Sequence, residues 1–339
     1  MTRCLKVNQP TKPTPDALDA AWSTVLSTLR SARESSEEDL GTPSQIDVTL
    51  LTGFLGSGKT TVLRHLLENP NGLRIAVIIN DVGDIEVDAR LVEGMTRQQI
   101  SLSNGCVCCA LSDDFAEQLR QLDAQSYDAV LVEASGVADP VNISQVIHGL
   151  PECRLDGIVA VTDPTSIIEY LDNPQIAPLL TRQLQTAHMV LVSKGDLLNE
   201  DERRRAVDVI SRLSPGSRVI PISQGQVDPG IVLGAAINGI SLPNDDQTAF
   251  QFATTTISPA GPWDPHELAG LLDTTDHQLL RGKGWFSDHD DNLYELQIVG
   301  RRWAIDNWVG DAPNAIVLIA VNSTDLATTK TMFHEIGHR

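Results

Sequence analysis

The string Gly53-Phe54-Leu55-Gly56-Ser57-Gly58-Lys59-Thr60 constrains the fold of this chain more tightly than any other feature. It matches G-x-x-x-x-G-K-[ST], in which glycines let backbone N–H groups curl around a phosphate at a helix N-terminus. Such a loop belongs at the junction of a buried strand and a helix. The flanks comply, with the apolar run Asp47–Leu51 before the loop and Val62, Leu63, Leu66 and Leu67 at helical spacing after it. The expected nucleotide contacts are Gly53, Gly56, Ser57, Gly58, Lys59, Thr60 and Thr61. Lys59 would reach the β- and γ-phosphates, and the Thr60 hydroxyl would ligate Mg²⁺.

From Ile46 onward, short apolar runs alternate with helical patterns, the mark of a parallel sheet covered on both faces. Strands are expected at Asp47–Leu51, Arg74–Ile79, Ala129–Glu133, Gly157–Thr162, Met189–Ser193 and Arg218–Ile222, with helices after Gly58, Ser112, Asn142 and Glu200. The fold class is α/β: a doubly wound, mostly parallel P-loop sheet followed by a smaller α+β domain. That domain reads as alternating Phe250–Ile257, a helix at His266–Leu272, a Gly282–Gly284 loop, strands at Leu293–Val299 and Ala315–Val321, and a terminal helix.

Four segments follow: an extension at 1–45, the P-loop domain at 46–224, a glycine-, proline- and aspartate-rich joint at 225–249, and the C-terminal domain at 250–339. In the extension, Leu18, Trp22, Val25, Leu26 and Leu29 follow Pro10, Pro13 and Pro15 at the spacing of one amphipathic helix. Its apolar face would pack on this protein or dock a partner.

The chain has 45 acidic against 25 basic residues and a net charge of −20, which opposes binding to nucleic acid or anionic membrane. No membrane-length apolar run and no secretory signal are present, and the five cysteines do not form a disulfide framework. A cytoplasmic protein is expected; a homodimer is compatible with the sequence but not indicated by it.

Two further segments complete a nucleotide site. The apolar run Ala129–Val132 ends in Glu133-Ala134-Ser135-Gly136. Glu133 would hold Mg²⁺ or one of its waters, and the Gly136 N–H would approach the γ-phosphate; a solvated acid at a strand end is the alternative. Ser193-Lys194-Gly195-Asp196 follows the next-but-one strand. Asp196 can accept both N1–H and N2–H of guanine, which adenine does not offer, so GTP is the expected substrate. Ser223 would either contact the base or simply end a strand. Glu133 and Asp81 are candidates to position the attacking water, beside Lys59.

Cys106-Val107-Cys108-Cys109 crowds three thiols ahead of a helix. One disulfide cannot account for all three, and soft thiolates suit Zn²⁺, Co²⁺ or Cu(I). A redox pair or inert buried cysteines are the alternatives. His266, His277, His289, His334 and His338 are scattered and read as surface residues.

These strings, with Asn80-Asp81-Val82-Gly83-Asp84-Ile85-Glu86-Val87-Asp88 and Arg281-Gly282-Lys283-Gly284-Trp285-Phe286, occur in the order that resembles CobW-like GTPases. The resemblance implies a metallochaperone, a GTPase that binds Zn²⁺ or Co²⁺ through Cys106, Cys108 and Cys109 and delivers it to a client metalloprotein. A mechanistic expectation accompanies it: GTP and Mg²⁺ would order the 80–88 segment and pull the Cys106–Cys109 loop into a thiolate site, so that metal affinity would follow nucleotide state. The sequence departs from the family pattern at Asp81, Val82 and Asp84, where Glu, Phe and Glu are usual, and at Ser193, where Asn is usual. A regulatory GTP switch with structural cysteines, and a P-loop kinase, are the competing readings.

Overall fold

The computed structural model describes residues 45–71, 73–80, 99–101, 111–123, 126–234, 253–310 and 312–336. Seven of its strands are β1 (Ile46–Thr52), β2 (Ile75–Asn80), β3 (Gln99–Ser101), β4 (Ala129–Ala134), β5 (Cys153–Thr162), β6 (Met189–Val192) and β7 (Arg218–Pro221). They form a sheet in the order β3-β2-β4-β1-β5-β6-β7, and every pairing is parallel. Its helices are α1 (Lys59–Glu68), α2 (Leu111–Arg120), α3 (Pro140–His148), α4 (Ile167–Asp172), α5 (Ala177–Thr186), α6 (Glu200–Leu213) and α7 (Pro229–Leu233).

β1 is central because it is apolar on both sides. Val48 and Leu50 join one core with Ile78, Val130, Phe115 and Ile147. Leu51 joins the opposite core with Val62, Leu63 and Leu66 of α1. Strands are added outward in both directions from β1, so a crevice opens at its carboxyl end, where ligands of such sheets sit. Local chemistry starts the helices: Asn199 and Glu202 form a reciprocal capping box on α6, and Asp139 caps α3 ahead of Pro140. The sequence patterns gave no sign of α4 or α5. α4 is six residues long, and α5 buries Gln183 and Thr186 beside Leu180 and Leu184, which blurs its apolar stripe.

The second sheet runs β11-β10-β9-β12-β8, all antiparallel. Its strands are β8 (Ala253–Ile257), β9 (Leu279–Ser287), β10 (Leu293–Val299), β11 (Arg302–Trp308) and β12 (Ala315–Ala320). Helices α8 (Pro265–Thr274) and α9 (Ser323–Ile336) complete this part of the chain. Phe286, Leu296, Ile298, Ile316 and Leu318 make its core with Leu268, Leu272 and Phe333 from those helices. The expected Gly282–Gly284 loop is corrected here, since both glycines lie inside β9. A β-carbon on Gly284 would stand 2.1 Å from the Ala315 carbonyl oxygen, and one on Gly282 would stand 3.0 Å from Ile298 Cδ1. Close packing, not turning, is the reason for them.

The opposite face of β9 meets the parallel sheet. Lys283 bonds Asp47 of β1, and Arg281 bonds Asp156 of β5. Arg154 bridges Asp47 at 2.6 Å and also bonds Glu295 of β10. Gln297 donates to Asp156, as does Thr49 at 3.2 Å. Three acids and two bases are thus buried together, with Arg154 half-buried at their edge. Burial alone would raise the Asp47 carboxyl, but Lys283 and Arg154 hold it at about 2. α7, with all five residues buried, packs on β1 and β5 and on β9; it falls within the expected 225–249 joint, and residues 235–252 lie outside the described set. The β10–β11 turn docks too, with Arg302 donating to the Thr186 and Gln185 carbonyls at the end of α5. The 1–45 extension is likewise outside the described residues.

Candidate functional site

The loop between β1 and α1 has the backbone its sequence requires. Gly53, Gly56 and Gly58 have φ of 141°, 71° and 99°, and a β-carbon on Gly53 would lie 2.1 Å from the Val161 carbonyl oxygen. Gly58 caps α1 in the left-handed conformation. Lys59 Nζ folds over the loop, donating to the Gly53 carbonyl at 3.0 Å. Ser57 Oγ is buried without a hydrogen-bond partner among the described residues. An orphaned hydroxyl inside a ring of glycine amides fits a phosphate oxygen.

β4 delivers Glu133 to this loop. The Thr60 hydroxyl donates to Glu133 Oε1 at 3.1 Å, and Glu133 is buried. Two hard oxygen donors converging beside a phosphate loop fit Mg²⁺. Gly136 lies against the loop itself, since a β-carbon there would fall 2.8 Å from the Leu55 nitrogen. No motif pointed to Gln183 on α5, which donates to the Gly136 carbonyl at 3.2 Å and the Ala138 carbonyl at 3.1 Å.

The Ser193–Asp196 segment follows β6. Ser193 Oγ, buried, lies 2.7 Å from the Ser57 carbonyl oxygen and 3.1 Å from that of Thr162. The short hydroxyl at the position where the family has Asn therefore ties this segment to the phosphate loop. Lys194, with φ of 50°, donates to the Gly56 carbonyl and to Asp163, each at 2.7 Å. Asp163 was not singled out by the sequence. Burial would raise its carboxyl, but hydrogen bonds from Lys194 and Thr165 bring it below the ordinary value. Asp196 stands exposed in a single 3₁₀ turn, Gly195–Leu197. The loop after Ser223 reaches Thr61, against which a β-carbon on Gly225 would press at 2.8 Å.

Asp81 and the 81–88 run, Cys106, Cys108 and Cys109 lie outside the described residues, as does His338. Among the described residues no three His, Cys, Asp or Glu side chains are arranged to hold a metal, and no helix is long and apolar enough to cross a membrane. Cys153 is buried, and burial pushes its thiol up to about 11, which leaves it protonated. His266 and His289 are exposed as expected, but His277 is not. It is buried, and its Nδ1 accepts the Leu279 N–H at 3.3 Å.

Residues 47–221 match the family described as CobW/HypB/UreG, nucleotide-binding domain, and residues 252–334 match the cobalamin synthesis protein cobW C-terminal domain. The chain is 31% identical over 304 residues to the zinc chaperone YjiA of Escherichia coli, covering 80% of this chain and 93% of that protein. It is 29% identical over 228 residues to the zinc chaperone CobW of Pseudomonas aeruginosa, covering 57% of this chain and 60% of that protein. A Zn(II)-bound triple mutant of the YjiA GTPase aligns over 86% of this chain and 99% of its own, with 26% identity and a TM-score of 0.43.

Proposed function

The chain belongs to the CobW/HypB/UreG family, and from that premise we propose that it hydrolyses GTP in order to load a transition metal into a client metalloprotein. The convergence of Thr60, Glu133 and Gly136 on the phosphate loop carries the nucleotide half of this reading. Lys59 leaves its resting bond to the Gly53 carbonyl and neutralises the β- and γ-phosphates. Thr60 and Glu133 would hold Mg²⁺, which when bound would supply charge neutralisation. Gly136 offers its N–H to the γ-phosphate, and Asp196 accepts the guanine N–H pair. Hydrolysis here needs positioning more than covalent chemistry. Glu133 and Asp81 are the groups that would orient the attacking water.

The metal half rests on the chemistry of Cys106, Cys108 and Cys109 and on relatives named as zinc chaperones. Three thiolates take zinc, and cobalt as well. Their upkeep requires a reducing compartment, which the cytoplasm provides. GTP binding tightens the thiolate site and hydrolysis loosens it. Because coupling free energies are reciprocal, the metal must then tighten GTP by the same factor.

A zinc and cobalt competition titration on the protein with a GTP analogue, with GDP and without nucleotide tests this. The expected order of affinity places the analogue state first, and Cys106→Ala, Cys108→Ala and Cys109→Ala should each abolish the difference. Equal affinity in all three states would sink the delivery mechanism and leave a regulatory switch with structural cysteines.

A further inference from the structure

α5 contains a polar side chain that packing does not explain. Gln183 is fully buried, yet Leu or Met would fill the same volume beside Leu180 and Leu184 without the cost of burying an amide. Its nitrogen is identified by its surroundings, because both neighbours within reach are carbonyl oxygens and only the NH₂ end can donate to them. Those carbonyls belong to Gly136 and Ala138, on either side of Val137. Gln183 Oε1, by contrast, has no hydrogen-bond partner among the described residues. The amide is therefore half satisfied, and the satisfied half is spent wholly on one loop.

The next residue back on α5 reinforces the same contact. Arg182 Nη1 lies 2.7 Å from Asp139 Oδ2, while Asp139 Oδ1 accepts the Val141 N–H at 3.0 Å to begin α3. Residues 136–139 are thus held from one helix at three points. Gly136 is the residue of that loop in contact with the phosphate loop at Leu55. The position of α5 consequently sets where the Gly136 backbone lies relative to the phosphate loop.

We propose that Gln183 is a positioning residue for GTP hydrolysis, fixing the Gly136 peptide at the γ-phosphate end of the site. The proposal rests on the GTPase reading above. Gln183 touches no substrate; it acts through the two carbonyls it holds. The γ-phosphate is present in GTP and absent from GDP, so loss of Gln183 should be felt by one nucleotide and not the other.

Gln183→Met keeps the length and flexibility of the side chain but removes both donors. The experiment measures dissociation constants for GDP and for a nonhydrolysable GTP analogue, together with kcat, on the full chain with Mg²⁺. With two neutral hydrogen bonds removed, analogue affinity and kcat should each fall on the order of tenfold while GDP affinity stays within twofold. Equal weakening of GDP and analogue, or no change in either, would overturn the proposal. Turnover of the unmodified protein is the separating control, since absent GTP hydrolysis there would defeat the GTPase reading itself. If Gln183→Met does not fold, Gln183→Asn replaces it under the same criteria, because its amide is one methylene too short to span both carbonyls.

Discussion

Protonation of His277 is a residue-scale event with a molecular consequence. Burial first, then the positive charges of Arg218 and Arg301, lower its imidazole from 6.5 to about 4 against the opposing pull of Asp276. Its Nδ1 must also stay unprotonated to accept the Leu279 N–H. Between these values the unfolded chain binds a proton that the folded chain refuses, so stability is full above pH 6.5 and falls toward pH 4. The loss attributable to this group is about 3 kcal/mol at its limit. His188 acts in the same direction, its imidazole held well below the ordinary value by desolvation and its Nδ1 accepting the Ile158 N–H. Melting temperatures from pH 7 to pH 4.5 should therefore drop less steeply for His277→Gln than for the native chain; parallel curves would refute this. Neither histidine announced itself in the sequence. The phosphate-loop residues did, because their chemistry is local: a glycine, a lysine and a hydroxyl at fixed spacing do one thing. Gln183, Asp163 and His277 have meaning only through partners remote in the chain or through burial.

At the scale of elements, legibility followed burial pattern. Strands such as β4 and β6 were visible because strands buried on both faces are apolar throughout, whereas the three-residue β3 was missed and α5 was hidden by the glutamine and threonine it buries. The glycines of β9 misled, since glycine signals a turn and a close approach equally well. Gly284→Ala tests the second meaning: a methyl 2.1 Å from the Ala315 oxygen should force β12 away and cost about 1–3 kcal/mol in urea unfolding. Gly261→Ala, which meets nothing within 4 Å, should stay within about 0.5 kcal/mol. Similar costs at both positions would show that β9 does not depend on close packing there.

At the scale of the whole molecule, the sequence marked a joint but not what crosses it. Lys283 and Arg281 belong to the string that suggested the family's C-terminal domain, and the structure turns them onto Asp47 and Asp156 of the parallel sheet. Removing one member strands a buried counter-charge, so Lys283→Met should lower unfolding free energy by about 3–5 kcal/mol, although the lysine lies remote in sequence from the phosphate loop. An unchanged melting temperature would mean that Asp47 finds enough compensation in Arg154 alone. The arrangement has a further consequence for how the chain can be divided. Asp47, Arg154 and Asp156 lie before the 235–252 segment, and Arg281, Lys283 and Glu295 after it, so the first set is one negative charge in excess and the second one positive. Each half is the other's counterion. A proteolytic nick in 235–252 would sever the backbone at its most divisible-looking stretch and still leave two fragments electrostatically committed to one another.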